Sequence, residues 1–300
     1  AVIVFMGVKG GIEKASTLMM PLLIVLSIII ALYSATRPGA WEGVKYYFTP
    51  HLSDVSPNTL LGAMGQMFYS MSLAMGIMVT YGSYMPDGED IEKSVGQIEL
   101  FDTGVALLAG LMIIPAVFAF SGGDSEALNA GPGLMFVTMP KVFASMQLGT
   151  LIGITFFVLV FFAALTSCIS LYETVVSILG DRFHMNRRNA CIVTYIICIV
   201  LGLLSAMGYG TLSGIQPLGM AFLDFFDFIS NSVLMPIFAL LSCLFLGWVV
   251  GIDYIAKEVK KNSSFRREPM FRVMIRWIAP IFLVAILVSS VMSALGIISI

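Results

Sequence analysis

The sequence predicts an all-α, polytopic membrane protein, and three observations carry that reading. Apolar side chains make up 58% of the 300 residues, and mean hydropathy is +0.96. Charged residues are 11%, against about 25% in soluble domains. The charges are also segregated, with long apolar runs between them. The net charge of −2 points to no class of partner.

The elements follow in order. Residues 1–7 read as the end of an apolar helix already under way; with no initiator Met or basic leader, the expectation is that the true N-terminus is missing. Seven apolar spans follow, near 17–35, 58–84, 98–121, 148–180, 190–207, 218–249 and 270–297. Each is close to or above the roughly 20 residues a helical crossing needs. Pro21, Pro115, Pro236 and Pro280 fall in or at the edges of spans, where membrane helices tolerate them. Residues 1–300 are thus read as a single transmembrane domain.

Orientation follows from the basic residues. With the first short loop cytoplasmic, the inner loops hold all 16 Lys and Arg except Arg37, Lys45 and Lys141. The positive-inside bias therefore places the N-terminal end inside and Ile300 outside. Two outer segments are long. Residues 36–57 carry Trp41, Tyr46, Tyr47 and Phe48, which suit a membrane interface. Residues 122–147 include an apolar run from Ala130 to Pro140 and read as a short helical hairpin dipping onto the membrane domain, in the manner of a lid.

Cys168, Cys191, Cys198 and Cys243 all lie in apolar runs without a CxxC pair, and read as packed, reduced thiols. His51 and His184 are far apart in loops and make no metal cluster. No catalytic triad, phosphate-cradling Gly loop, HExxH or paired catalytic carboxylates appear, and nothing suggests nucleic acid.

Three features could carry chemistry. The span 58–84 clusters hydroxyls and small residues from Ser70 to Gly76 between two better helical halves. A membrane helix can open its backbone where protein or a water-filled cavity satisfies the freed groups, and transporters build sites at such breaks. A Ser/Gly face packed on a neighbouring helix is the alternative. Second, Asp102, Glu173, Asp224 and Asp227 lie within spans, where ionisable groups mark functional sites by default. The bland readings are an interfacial position for Asp102, a hydrogen bond to open backbone for Glu173, and hydration near the outer end of their span for Asp224 and Asp227. Third, the Ala163 carbonyl and the Thr166 and Ser167 hydroxyls share one helical face. Three neutral oxygens suit a monovalent cation such as Na⁺; hydroxyls bonded back to the preceding turn are the alternative.

Together these residues resemble the neurotransmitter:sodium symporter family, with the inverted-repeat fold of the bacterial leucine transporter. The stretch from Gly65-Gln66 to Tyr84 matches the family's broken sixth helix, Phe161–Ser167 its eighth, Ala130–Pro140 its fourth outer loop and Asp224-Phe-Phe-Asp227 its tenth helix. The chain would run from the end of helix four through helix eleven, with nearly all of the first five-helix repeat absent.

The resemblance implies site residues one by one. Tyr69, Ser70, Ser72 and Met75 would line the substrate pocket from the sixth helix, with Tyr69 as an aromatic lid, and Ser167 and Leu171 from the eighth. Ser70 and Asp102 would belong to a first sodium site, and Ala163, Thr166 and Ser167 to a second. Asp227 matches an outer-gate acid, Asp181 an inner-gate acid and Tyr84 its neighbour. The chain departs from the family at Ala106, where chloride-independent relatives often carry a carboxylate; here the acid is Asp102, on the proposed ion site itself, so chloride is not expected to be required.

The expected function is sodium-coupled import of a neutral, apolar amino acid by alternating access, in a cell membrane such as a bacterial inner membrane. Its cofactor is Na⁺, at one or two sites; its partners are the amino acid and the bilayer, a homodimer being compatible with the sequence. The rivals are a seven-helix receptor, which the orientation disfavours, and a non-transporting membrane interaction protein derived from the same fold.

Overall fold

The computed structural model describes residues 1–50, 55–122 and 133–294, and every regular element among them is helical. Among the described residues six helices are long and apolar enough to cross a bilayer: Val8–Ala35, Ile91–Ser121, Gly149–Phe183, Arg187–Met207, Phe222–Val259 and Glu268–Ser293. The crossing expected over 58–84 is two helices instead, Pro57–Ser70 and Ile77–Ser83.

Local chemistry sets the ends. Ser56 accepts from the Thr59 amide at 3.1 Å while its own amide donates to the Thr59 hydroxyl at 3.3 Å. With Pro57 at the first helical position this is a reciprocal cap. Asp90 accepts from the Lys93 amide at 3.0 Å, which moves the start of the next helix back to Ile91 from the expected 98. Gly251, at φ 87°, interrupts the Phe222–Val259 span. Beyond it Ile252, Ala256 and Val259 bury one face at helical spacing, while Asp253, Lys257 and Glu258 are not among the buried residues.

The chain divides into two compact units. One comprises Val2–Leu52 and Leu100–Ser170. Its core joins Ile30 and Ala31, Met112, Ala116 and Val117, Met139, Val142 and Phe143, and Ile152 and Phe156. The interfacial segment contains a helix, Ala40–Phe48, that packs inward: the Tyr46 ring lies 5.1 Å from that of Phe118. A Cβ at Gly110 would come within 2.3 Å of the Tyr47 ring, so a larger residue there would force the ring to shift. Trp41 stays 63% exposed. Of the lid-like segment, 123–132 lies outside the described residues. The helix Met139–Ala144 that follows is core, its Phe143 ring 5.1 Å from Phe156.

The other unit comprises Ser53–Glu99 and Leu171–Ile300, with Ala1. Phe68 and Ala74 pack on Ala239, Cys243 and Leu283. At its charged end the Glu92 carboxylate accepts from the successive amides of Arg266 and Arg267 at 2.8 and 3.2 Å, and Arg267 returns an ion pair to Glu99 at 2.6 Å. All four cysteines are free thiols. Cys191 and Cys243 are buried, but Cys168 and Cys198 are exposed rather than packed. Around Cys198 so are Ile196, Ile197, Ile199 and Val200, the composition of a surface that faces lipid.

Candidate functional site

The break is built by backbone geometry. The first half-helix winds down through Ser72 and Leu73 amides bonded to the Tyr69 and Phe68 carbonyls at 3.0 and 3.1 Å. Ser72, Ala74 and Gly76 then take positive φ, at 55°, 59° and 78°. Two of these carry a Cβ, and such residues each cost of order 1–3 kcal/mol, persisting where surroundings over-determine them. Gly76 opens the second half-helix, where the Thr80 amide returns to its carbonyl at 2.9 Å. A Cβ there would meet Thr174 Cγ2 at 3.0 Å, so glycine serves both the turn and the close approach of the helix Gly149–Phe183.

Tyr69, Met75 and Leu171 line one cavity of about 450 Å³, together with Ala74, Ser230, Asn231, Leu234, Met235 and Phe238. None of these side chains is charged. Ser70 and Ser72 lie at the break but are not among its lining residues. A second cavity, of about 360 Å³, is lined by Tyr69 and Asp227. Asp227 accepts from Asn231 Nδ2 at 2.6 Å, and Asp224 is exposed.

Glu173 is fully buried, and its carboxylate is held by side chains rather than by open backbone. Arg187 donates to it from both guanidinium nitrogens, at 3.1 and 2.6 Å, and the Tyr84 hydroxyl donates at 2.8 Å. This ties the end of the second half-helix to the helices Gly149–Phe183 and Arg187–Met207. The Tyr84 hydroxyl thus goes to Glu173, while Asp181 is exposed. The acid was visible in the sequence as a mid-helix charge. Its cation was not: Arg187 looked like any inner-loop basic residue, although a buried carboxylate demands such a partner.

The Ala163, Thr166 and Ser167 oxygens do cluster. Thr166 Oγ1 donates to the Phe162 and Ala163 carbonyls at 3.1 and 2.9 Å, and Ser167 Oγ donates to the Ala163 carbonyl at 3.2 Å. The back-bonded arrangement is therefore the one present. Both hydroxyl protons are thus on carbonyls of the preceding turn, and the three groups together are a neutral oxygen set. Asp102, half-buried in the helix Ile91–Ser121, belongs to the same unit as these residues, and Ser70 belongs to the other. Among the described residues no group of three or more His, Cys, Asp or Glu could hold a metal.

Comparison with known proteins agrees with this architecture. The sequence pattern of the Sodium:neurotransmitter symporter family matches residues 1–297. An uncharacterized sodium-dependent transporter of Bacillus subtilis, YhdH, is 36% identical over 95% of this chain and 62% of its own length. An uncharacterized sodium-dependent transporter of Methanocaldococcus jannaschii is 31% identical over 95% of this chain and 58% of its own. The crystal structure of MhsT in complex with L-phenylalanine superposes with a TM-score of 0.83 at 37% identity, covering 96% of this chain and 65% of that one. The chain thus spans about three-fifths of the length of the curated relatives it matches.

Proposed function

Because this chain, a multi-pass membrane protein, belongs to the sodium:neurotransmitter symporter family, we propose that the protein containing it imports a neutral, apolar amino acid by sodium-coupled alternating access. The family is one of transporters, and its relatives are named as sodium-dependent. The observation that carries the finer reading is the cavity at the break: Tyr69, Met75, Leu171 and Phe238 give it apolar walls, and no lining side chain would pair a charged substrate side chain. The substrate ammonium would meet backbone carbonyls at the break, where the helix ladder is interrupted. That MhsT was solved with L-phenylalanine supports the amino-acid class.

Sodium is the co-substrate in this reading. Ala163, Thr166 and Ser167 would form one site once the two hydroxyls turn from the Ala163 carbonyl and present lone pairs to the ion. Ser70 and Asp102 would contribute to another, and the Asp102 carboxylate would supply the negative charge that makes chloride dispensable. Asp227, Tyr84 and Asp181 would act in the gates.

The test is binding of tritiated L-phenylalanine and L-leucine to the full-length protein in sodium and in potassium. Sodium-stimulated binding is expected, and Thr166→Val with Ser167→Ala should abolish the stimulation in a folded protein. Binding of equal strength in both salts would overturn the proposal. Uptake is expected to be the same in sodium chloride and sodium gluconate; a strong chloride requirement removes the Asp102 role alone.

A further inference from the structure

The spans Phe222–Val259 and Glu268–Ser293 belong to one unit and share a charged end. There Arg272 pairs with Asp253 at 2.5 Å and with Glu268 at 2.6 Å, and Lys260 pairs with Glu268 as well. One turn further into its span stands Arg276. It is exposed, and among the described residues no carboxylate pairs with it. Its guanidinium lies over the Trp248 ring instead, 5.0 Å from the centroid. Trp277 completes the group, its ring 5.3 Å from that of Trp248 and nearly perpendicular to it. Both tryptophans are more than half exposed.

Backbone geometry brings these side chains together. Trp248 lies in the π-helical stretch Phe245–Gly251 and Arg276 in another, Met274–Ile278. Such stretches are rare and frequently occur at functional sites. The two approach at Gly247, which is buried; a Cβ there would lie 3.8 Å from Arg276 Cα. Away from the charged end the same spans continue with Phe245 and Ile281, both exposed. Four residues of helix separate Arg276 from Arg272, about 6 Å. The polar layer of one leaflet is about 5–7 Å deep. With Arg272 at the water boundary, the group stands where headgroups give way to acyl chains, a level that tryptophan favours. A cation at that depth gains most from an anion, and Asp253 and Glu268 are already engaged by Arg272 and Lys260.

We propose that Arg276 and the Trp248–Trp277 pair form a binding site for an anionic phospholipid. The guanidinium holds the phosphodiester, and the exposed apolar face beside it seats the acyl chains. Charge complementarity selects this occupant. A guanidinium over a ring spends its face on the ring and keeps its N–H donors for an oxyanion, which it grips with two parallel bonds. A zwitterionic lipid offers the same phosphate but brings an ammonium beside Arg276, where no free carboxylate receives it. The site is independent of the substrate cavity and of the ion sites.

The experiment reconstitutes the full-length protein in phosphatidylcholine vesicles and adds phosphatidylglycerol with brominated acyl chains, which quench tryptophan on contact. Brominated phosphatidylcholine is the reference. The signal of the pair is the part of the quenching lost in Trp248→Phe with Trp277→Phe. Quenching of the pair should favour phosphatidylglycerol, and Arg276→Gln should reduce that preference about tenfold, the scale of a hydrogen bond to a charged group. Arg276→Lys keeps the charge without the two-pronged donor set and should retain part of it; it carries the measurement if the glutamine variant does not fold. Arg266→Gln removes a loop cation of the same end and should leave the preference intact. An equal loss in Arg266→Gln means diffuse attraction by the basic loop and overturns the site. So does an unchanged preference in both Arg276 variants. Glycerol 3-phosphate in solution should not compete, because the acyl chains contribute; full competition would make this a site for soluble phosphate. A pair that neither lipid quenches is covered by protein, and the assignment to lipid falls.

Discussion

The break at Ser70–Gly76 and the pair at Glu173–Arg187 both place polarity within spans, and they do so by opposite means. The break uses neutral side chains and strained backbone, with φ values of 55°, 59° and 78°. The pair uses regular helix and a formal charge, fully buried on the acid side and 36% exposed on the basic side. Open backbone offers many weak dipoles that can exchange partners at modest cost. A buried ion pair offers one strong partnership that is costly to break. The difference suits the first to a site that binds and releases, and the second to a fixed tie between helices.

The largest effect should come from separating the pair. Arg187→Gln leaves Glu173 buried without its cation, which costs about 3 kcal/mol or more. It should lower the melting temperature of the purified protein more than any change at the break. Glu173→Gln in the same chain should recover most of the loss, because no bare charge remains. If the double variant melts as low as Arg187→Gln alone, the pair is not what holds these helices together.

Met75 probes the break as a binding site. Enlarging it to Phe changes the room by more than one methylene, and one methylene is worth about 1–3 kcal/mol of discrimination. Competition assays should show the bulkiest amino acids disfavoured relative to the smaller ones, with stability little altered. An unaltered substrate ranking would place Met75 outside the pocket.

The contrast also explains what was legible. The membrane class and six of the seven expected spans, found among the described residues, follow from composition, because lipid imposes length and polarity on every crossing. The break was legible as a cluster of Ser, Gly and Ala, since those residues tolerate open backbone. What makes it a break was not: Ser72 and Ala74 hold left-handed conformations that their residue types do not announce, fixed by packing such as Ala74 on Ala239 and Leu283. Glu173 stood out as a charge in an apolar run. Arg187 and Tyr84 did not, because nothing local says which loop cation or which tyrosine will reach a given acid. The Thr166 and Ser167 face was legible by periodicity, down to the back-bonded alternative that the structure displays.

Gly76 separates conformational from steric cost within the break. Gly76→Ala forces a left-handed residue, at about 1–2 kcal/mol, and presses a methyl on Thr174 Cγ2 at 3.0 Å. Adding Thr174→Ser removes that methyl and keeps the hydroxyl. The double variant should regain part of the lost stability but not all of it. Full recovery would mean that the positive φ costs nothing here.

The smallest effect concerns pH, and it tests whether the charged segments alone respond to acid. No residue from Ser70 to Gly76 is ionisable, so the break should keep its geometry in acid. Asp90, just past the second half-helix, should not be indifferent. The Lys93 amide donates to its carboxylate, and this bond, with help from the Ser263 hydroxyl, holds the carboxyl below the usual range. A depressed folded value means that the unfolded chain takes up the proton first. The contribution to stability is therefore complete above the ordinary carboxylate range and is lost as pH falls through the lower folded value. Hydrogen exchange at the Lys93 and Ser94 amides, corrected for intrinsic rate, should show protection at neutral pH that fades in acid. Asp90→Asn keeps an oxygen acceptor without a titrating proton and should flatten that dependence. If the wild-type protection is already independent of pH, the cap does not rest on the carboxylate, and the division between a neutral break and charge-held ends does not extend to this turn.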